Sequence, residues 1–214
     1  CHLNKTKECN KNGIKLLQIF EDEYISKKEI IINKIKHLLN INNNLPKIMA
    51  RRCNIKEIDE KTSKQFIDKF SLFDYIPSTI HLGAFYDNIL VSVISLSKID
   101  TNALKWQINA FVNDYNYIYQ GIFSRLLNYF IKNYYPKEIN VMVDVRWILN
   151  KDDNIFIKCG FIIKNELSPT YDYVLSSNPT KRIKPCDIIL DNNKKYSKIW
   201  NCGYYEYQWN NKEK

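Results

Sequence analysis

Glycine, arginine and histidine are scarce in this chain of 214 residues, with five, five and three of each. No apolar run approaches the roughly 18 residues needed to cross a bilayer. No charged, then apolar, then small-residue segment marks a secretion signal. The six cysteines, Cys1, Cys9, Cys53, Cys159, Cys186 and Cys202, contain no C-x-x-C pair. His2, His37 and His81 have no ligand spacing with them, so no metal site is expected. A chain of this length with a good core does not need disulfides, and reduced thiols in a cytoplasmic compartment are expected. The chain opens on Cys1 rather than Met, which reads as a fragment or a processed product.

Asn, Ile and Lys are abundant instead, at 26, 31 and 27 residues. AT-rich coding produces that skew, so a lysine or an asparagine is not in itself a sign of binding. The composition is 45% apolar and 14% aromatic, enough to bury a core. The length fits one domain, or one domain with a small appendage. The net charge of +9 is uneven: residues 1–58 carry +6, residues 59–177 carry −1 and residues 178–214 carry +4. Two basic ends flank a neutral middle. Clustered positive charge suits phosphate contact; lysines placed on solvated faces by codon usage are the other reading.

Along the chain, residues 4–12 predict a short polar helix ending at Gly13, a C-cap position. The apolar run Ile14–Phe20 predicts a buried strand. Glu21, Asp22 and Glu23 open a helix to about Asn40, where first-turn acids suit the dipole. Asn40–Pro46 reads as a linker. Beyond it, strands are expected at 47–58, 79–86, 89–98, 104–112, 138–145, 161–164 and 171–175, with a terminal aromatic strand. Asp87-Asn88 predicts a two-residue hairpin turn. Helices are expected at 59–70, capped by Asp59 or Thr62, at 121–134 and at 152–159. The pattern is mixed α/β.

One place in this order carries possible chemistry. A strand (KWQINAFV) leads through a loop to Gly121 and a helix start, YQGIFSRLLNYF. The free N–H groups and positive dipole end of such a start suit a phosphate or pyrophosphate. An ordinary loop-to-helix turn would look the same.

The stretches LVSVIS (90–95), YQGIFSRLL (119–127), INVMVDVRW (139–147) and NIFIKCGF (154–161) make residues 46–177 resemble the GNAT acyltransferase fold. That resemblance implies a mixed, mostly antiparallel sheet flanked by helices. It also implies acetyl-CoA as cofactor, bound through Gly121, Ser124 and Arg125. The chain departs from the family pattern at Phe123, where a second small residue is usual, and at Phe156, where a Tyr often acts as general acid. A second resemblance spans nearly the whole chain, carried by HLNKTKEC and GIKLLQIFEDEY (2–24), IMARRCNI (48–55), HLGAFYDNILVSVISLSK (81–98) and KIWNCGYYEYQW (198–209). These resemble the C-terminal part of phage and giant-virus homing-endonuclease-like proteins, in which a very-short-patch-repair or restriction-type nuclease segment precedes a GNAT-like domain. It implies residues 1–40 as a nuclease remnant with a helix–strand–helix form, 41–46 as a linker and 47–214 as the GNAT-like domain. It leaves His2, Lys5, Glu21 and Glu23 from the nuclease, with Mg²⁺ required only if upstream carboxylates are present. It also places the protein in a host cytoplasm.

The basic residues Lys181, Arg182, Lys184, Lys194, Lys195 and Lys198 are the candidate phosphate-contacting cluster, or else solvated loop lysines. Alternation would point one of Arg51 and Arg52 inward and one outward. Asp144 and Arg146 either orient a ligand or form an internal salt bridge. Trp200, Tyr204, Tyr205, Tyr207 and Trp209 either stack bases or close the core. The expectation is a DNA-associated, non-cleaving accessory region of a viral homing-endonuclease-like protein. The alternative is an acyl-CoA-dependent N-acyltransferase using the Gly121 loop. For the transferase, the fourth and fifth strands must splay apart, and Phe123 must not fill the gap.

Overall fold

The structure, a computed structural model, describes residues 2–39, 41, 44–100, 104–148, 150–188 and 195–211. In chain order the elements are α1 (His2–Lys11), α2 (Glu21–Leu38), β1 (Lys47–Met49), β2 (Asn54–Glu57), α3 (Glu60–Phe70), β3 (Ile80–Tyr86), β4 (Ile89–Asp100), β5 (Lys105–Asn113), β6 (Ile118–Gln120), α4 (Ile122–Tyr134), β7 (Glu138–Asp144), α5 (Ile155–Lys158), β8 (Ile162–Leu167), β9 (Tyr171–Leu175), β10 (Asn178–Ile183), β11 (Tyr196–Trp200) and β12 (Tyr204–Asn210). Single 3₁₀ turns occupy Ala50–Arg52 and Val145–Trp147. Among the described residues, no helix is long and apolar enough to cross a membrane.

Seven strands hydrogen-bond in the order β2-β3-β4-β5-β7-β12-β8. Neighbours from β2 to β5 are antiparallel, and β5 runs parallel to β7. This is the expected mixed, mostly antiparallel sheet flanked by helices. The hairpin between β3 and β4 turns at Asp87 and Asn88, both at positive φ (48° and 63°). Asn and Asp tolerate that left-handed region better than other side chains do.

The chain divides into two compact units. The larger comprises Glu29–Met142, Ile155–Ile162 and Tyr207–Lys214. Its core lies on both faces of β3–β5. On one face, Phe66, Ile67 and Phe70 of α3 pack on Val93 and Val112. Asp59 caps α3, accepting the Thr62 N–H at 2.8 Å. On the other face, α4 buries Ile122, Phe123, Leu126, Leu127 and Phe130, and Phe130 meets Trp106 of β5 edge-on at 5.1 Å.

The smaller unit comprises Cys1–Lys28, Val143–Asn154 and Ile163–Glu206. It holds α1 and the antiparallel sheet β10-β9-β11. Here the expected strand at Ile14–Phe20 is absent. The segment forms neither helix nor strand, and Ile14 is 59% exposed. Phe20 alone is buried, between the Arg146 and Arg182 guanidinium groups at 4.5 and 4.6 Å. An apolar run thus marked one anchoring ring, not a strand. The expected strand at 47–58 is interrupted by the Ala50–Arg52 turn. The aromatic tail forms two strands, because Gly203 turns at φ 84° with no room for a side chain: a Cβ there would sit 2.5 Å from the Leu167 carbonyl oxygen. The short strands β6 and β10 have no periodicity that the sequence could reveal.

Candidate functional site

The parallel pair β5/β7 is joined only at one end. Lys105–Ile108 pair with Glu138–Val141, and the register stops there. Strand β5 runs on to Asn113, still paired with β4 on its other side. From Asn109 onward its β7-facing edge therefore offers backbone N–H and C=O groups with no strand partner in that register. A β-bulge marks the same place, between Ser95/Ala110 and Leu96/Ile108. The pairing of the two strands ends at Ile108 and Val141.

Helix α4 begins a few residues after β5 ends. Short strand β6 pairs in parallel with β1, so Gln120 lies opposite Met49. Gly121 follows at φ 78°, ψ 12° and caps α4 through its carbonyl, which accepts the Arg125 N–H at 3.0 Å. A non-glycine residue there would carry the left-handed penalty. The N–H groups of Ile122, Phe123 and Ser124 precede the first intrahelical bond. Ala50 lies across from Gly121; a Cβ on the glycine would stand 3.7 Å from the Ala50 Cβ. The Ala50–Arg52 turn thus brings Arg51 and Arg52 to the α4 start. Both are exposed, contrary to the in–out alternation of a strand. Arg52 stacks on Tyr86 at 4.9 Å. Burial pushes the Cys53 thiol pKa up, while the charges of Arg125 and Arg52 both pull it back. Arg52 and Arg125 therefore both lie within electrostatic reach of Cys53.

Phe123 does not crowd the outer side of that turn. It is fully buried and points inward, with Phe111 at 4.9 Å and Phe156 at 5.2 Å. Phe156 stacks in turn on Tyr207 at 5.4 Å. The α4 side of the site is therefore hydrocarbon, and Phe156 brings no hydroxyl to it. Cys159 stands beside Ser124; burial raises its pKa and a hydrogen bond from Ser124 lowers it.

The other expected site residues are placed as follows. Gly121, Ser124 and Arg125 come together at the α4 start. Lys194 lies outside the described residues. Lys181 and Lys184 are exposed, and Lys198 sits over the Tyr171 ring at 4.2 Å. Arg182 is engaged internally, its Nε 2.5 Å and Nη2 2.9 Å from the Asp22 carboxylate. Burial works against the Asp22 carboxylate, but Arg182 outweighs it and holds the pKa below the ordinary range. Asp144 and Arg146 form an internal salt bridge (2.7 Å), and Glu23 takes the remaining guanidinium face at 2.8 and 2.9 Å. His2 packs edge-on against Phe20 at 5.7 Å. Among the described residues, no three His, Cys, Asp or Glu side chains gather as a metal site would require. Sequence reading missed the turn at Ala50–Arg52 and the nearness of Ala50 to Gly121. The only local signal was two adjacent arginines in an arginine-poor chain.

No protein-family model and no curated protein sequence matches the chain. Solved structures do. A GNAT family acetyltransferase from Elizabethkingia anophelis, with acetyl-CoA bound, is 16% identical at a TM-score of 0.45, over 74% of this chain and 98% of its own. Spermidine/spermine N-acetyltransferase SpeG from Vibrio cholerae is 10% identical at 0.49, over 74% and 92%. Naa50 from Arabidopsis thaliana, in complex with a bisubstrate analogue, is 16% identical at 0.48, over 73% and 97%. At these identities the likeness concerns the fold alone.

These findings correct the expectation of a DNA-associated accessory region. The similar structures named above are acetyltransferases. Physically, the basic cluster expected to meet DNA loses Arg182 to Asp22. Of the two carboxylates expected from the nuclease remnant, Glu23 is engaged by Arg146.

Proposed function

We propose that the larger unit binds an acyl-coenzyme A and transfers its acyl group to an amine. The observation that carries this reading is the end of β5–β7 pairing at Ile108 and Val141, with the Gly121-capped α4 N-terminus and Arg125 following in sequence. A diphosphate is the anion that such an N-terminus suits, because unpaired N–H groups and the dipole act together. Ile122, Phe123 and Ser124 would hold it through their backbone N–H groups. Arg125 would add a charge-assisted hydrogen bond, with Arg51 and Arg52 contributing positive potential. The open edge of β5 would take the amide-bearing arm by strand-like hydrogen bonds. When bound, the cofactor supplies a thioester whose carbonyl is open to nucleophiles. Phe111, Phe123 and Phe156 exclude water from the α4 side, and Gly121 gives the turn its close backbone approach.

Thermal shift and calorimetric titration with acetyl-CoA test this. A ligand that binds only the folded chain must raise the melting temperature with concentration. Arg125→Ala should weaken binding by about tenfold, as expected for loss of a hydrogen bond to a charged group. Gly121→Trp should abolish it. No shift in wild type at millimolar acetyl-CoA would sink the proposal. Turnover is then sought by thiol release with spermidine and with a short peptide bearing a free N-terminus.

A further inference from the structure

The face of the sheet beneath α3 carries polar atoms that an apolar core has no use for. His81 of β3 is 6% exposed, Ser95 of β4 is 1% exposed and Asn140 of β7 is 8% exposed. His81 Nε2, Ser95 Oγ and Asn140 Oδ1 are all buried without a hydrogen-bond partner among the described residues. Orphans of this kind are rare in native structures and call for an explanation. Their register is informative. His81 lies directly opposite Ser95, and Ser95 directly opposite Ala110. Side chains opposite one another share a face, and that face is the α3 side, because Ala110 packs with Val93 and Val112 against α3. Ser95 therefore stands between the imidazole and Ala110. Ala110 is in the stretch of β5 that has left β7, immediately after the bulged Asn109. Asn109 is itself held, its Nδ2 donating to Ser78 and Ser97 hydroxyls at 2.8 and 2.6 Å.

The His81 ring is held on its other side. Its Nδ1 is 3.0 Å from the Oγ of Ser63, which is fully buried on α3, and Tyr75 stacks over it at 6.1 Å. With the proton on Nδ1 and donated to Ser63, Nε2 is the basic nitrogen. The charged groups around the ring are Glu60 and Asp59 of α3, and the Ser78 carbonyl also favours the protonated form. Tyr75, whose hydroxyl donates to Glu60 at 3.1 Å, covers the ring from the loop after α3. Burial outweighs these groups and keeps the imidazole neutral near pH 7.

We infer that Ser95 and His81 form a proton path from the open edge of β5, removing the proton of the amine that accepts the acyl group. This rests on the acyl-transfer reading. The amine proton passes to Ser95 Oγ as the Ser95 hydroxyl proton passes to His81 Nε2 through a bridging water, because the two atoms are not hydrogen-bonded to each other. The nitrogen–carbon bond forms, the carbon–sulfur bond breaks and the thiolate leaving group takes the proton back. The α3 face thus supplies the proton-handling chemistry that Phe156 leaves out on the α4 face. Ser95 takes the amine proton itself, and His81, which reaches the amine only through Ser95, is a positioning residue.

The test follows the His81 imidazole by NMR and kinetics together, in the full chain. Ser95→Ala should move the His81 titration midpoint downward by about half a unit, and Ser95→Thr, which keeps a hydroxyl, should restore it. In thiol-release assays Ser95→Ala and His81→Gln should lower kcat by about 10²-fold, the low end for general-base assistance. Their acetyl-CoA Kd should stay within about twofold of wild type, and His81→Gln should lose the acid limb of the pH profile. An unmoved His81 midpoint, or an unchanged acid limb in His81→Gln, overturns the path while leaving the transferase reading intact. Failure of wild type to bind acetyl-CoA overturns both.

Discussion

A guanidinium that is only 3% exposed must have every donor answered, and Arg146 does. Its Nε and Nη2 donate to Asp144, its Nη1 and Nη2 to Glu23, and its face covers Phe20. Burial alone would lower its pKa; the hydrogen bonds to Glu23 and Asp144 override that and raise it. Replacing such a pair with hydrocarbon can be neutral, but removing one partner strands the others. Arg146→Ala should therefore destabilise the chain by about 3–5 kcal/mol, the range for an orphaned buried charge. Urea denaturation at pH 7 reads this directly. A loss below about 1 kcal/mol would mean that solvent reaches Asp144 and Glu23 freely. His81 makes the complementary case in pH. Its folded pKa lies below the ordinary 6.5 because of burial. The unfolded chain therefore binds the proton more readily, so stability is full above pH 6.5 and declines as pH falls below it. Urea midpoints at pH 7.5 and 5.5 should differ less in His81→Gln than in wild type. Equal differences would mean that the imidazole titrates alike in both states.

At the scale of elements, two glycines separate strain from space. Gly121 and Gly203 both hold positive φ, but a Cβ meets only Ala50 at 3.7 Å in the first and the Leu167 carbonyl at 2.5 Å in the second. Gly121→Ala should cost about 1–2 kcal/mol, the left-handed penalty alone. Gly203→Ala should cost more, because the turn between β11 and β12 must move. Melting temperatures of the two variants give the order, and equal losses would contradict the steric argument. Elements with strong local signals were legible in the sequence. Residues 60–70 carry an N-cap and an amphipathic face, and residues 122–134 follow a glycine. The Asp87-Asn88 turn was legible for the same reason. Ile14–Phe20 was misread because an apolar run cannot distinguish a strand from one ring clamped by two arginines. The helix expected from Glu21 to about Asn40 is kinked at Lys27 (φ −134°, ψ 38°), and Tyr24 and Ile25 before the kink are 43% and 60% exposed. At the candidate site, Gly121 was legible from one residue. His81, Ser63 and Ser95 were not, because their meeting depends on strand register and on the seating of α3.

For the whole molecule, the two units differ in what holds them. The larger rests on apolar burial across β3–β5, with Val91, Val93, Ile94 and Leu96 of β4 fully buried. The smaller depends on charge: Arg146 with Asp144 and Glu23, and Arg182 with Asp22. Hydrophobic burial scales with apolar area and is insensitive to one lost charge, whereas an ion-pair network fails as a set. Native-state hydrogen exchange resolves such units because each opens with its own free energy. Arg146→Ala should therefore speed exchange of the amides of α1 and β9, which belong to the smaller unit. The amides of β3, β4 and the paired half of β5 should keep their wild-type protection. Ser95→Ala, by contrast, should leave the smaller unit's exchange unchanged. If Arg146→Ala accelerates exchange equally in both units, the difference in what holds them is overturned and the chain opens as one cooperative body.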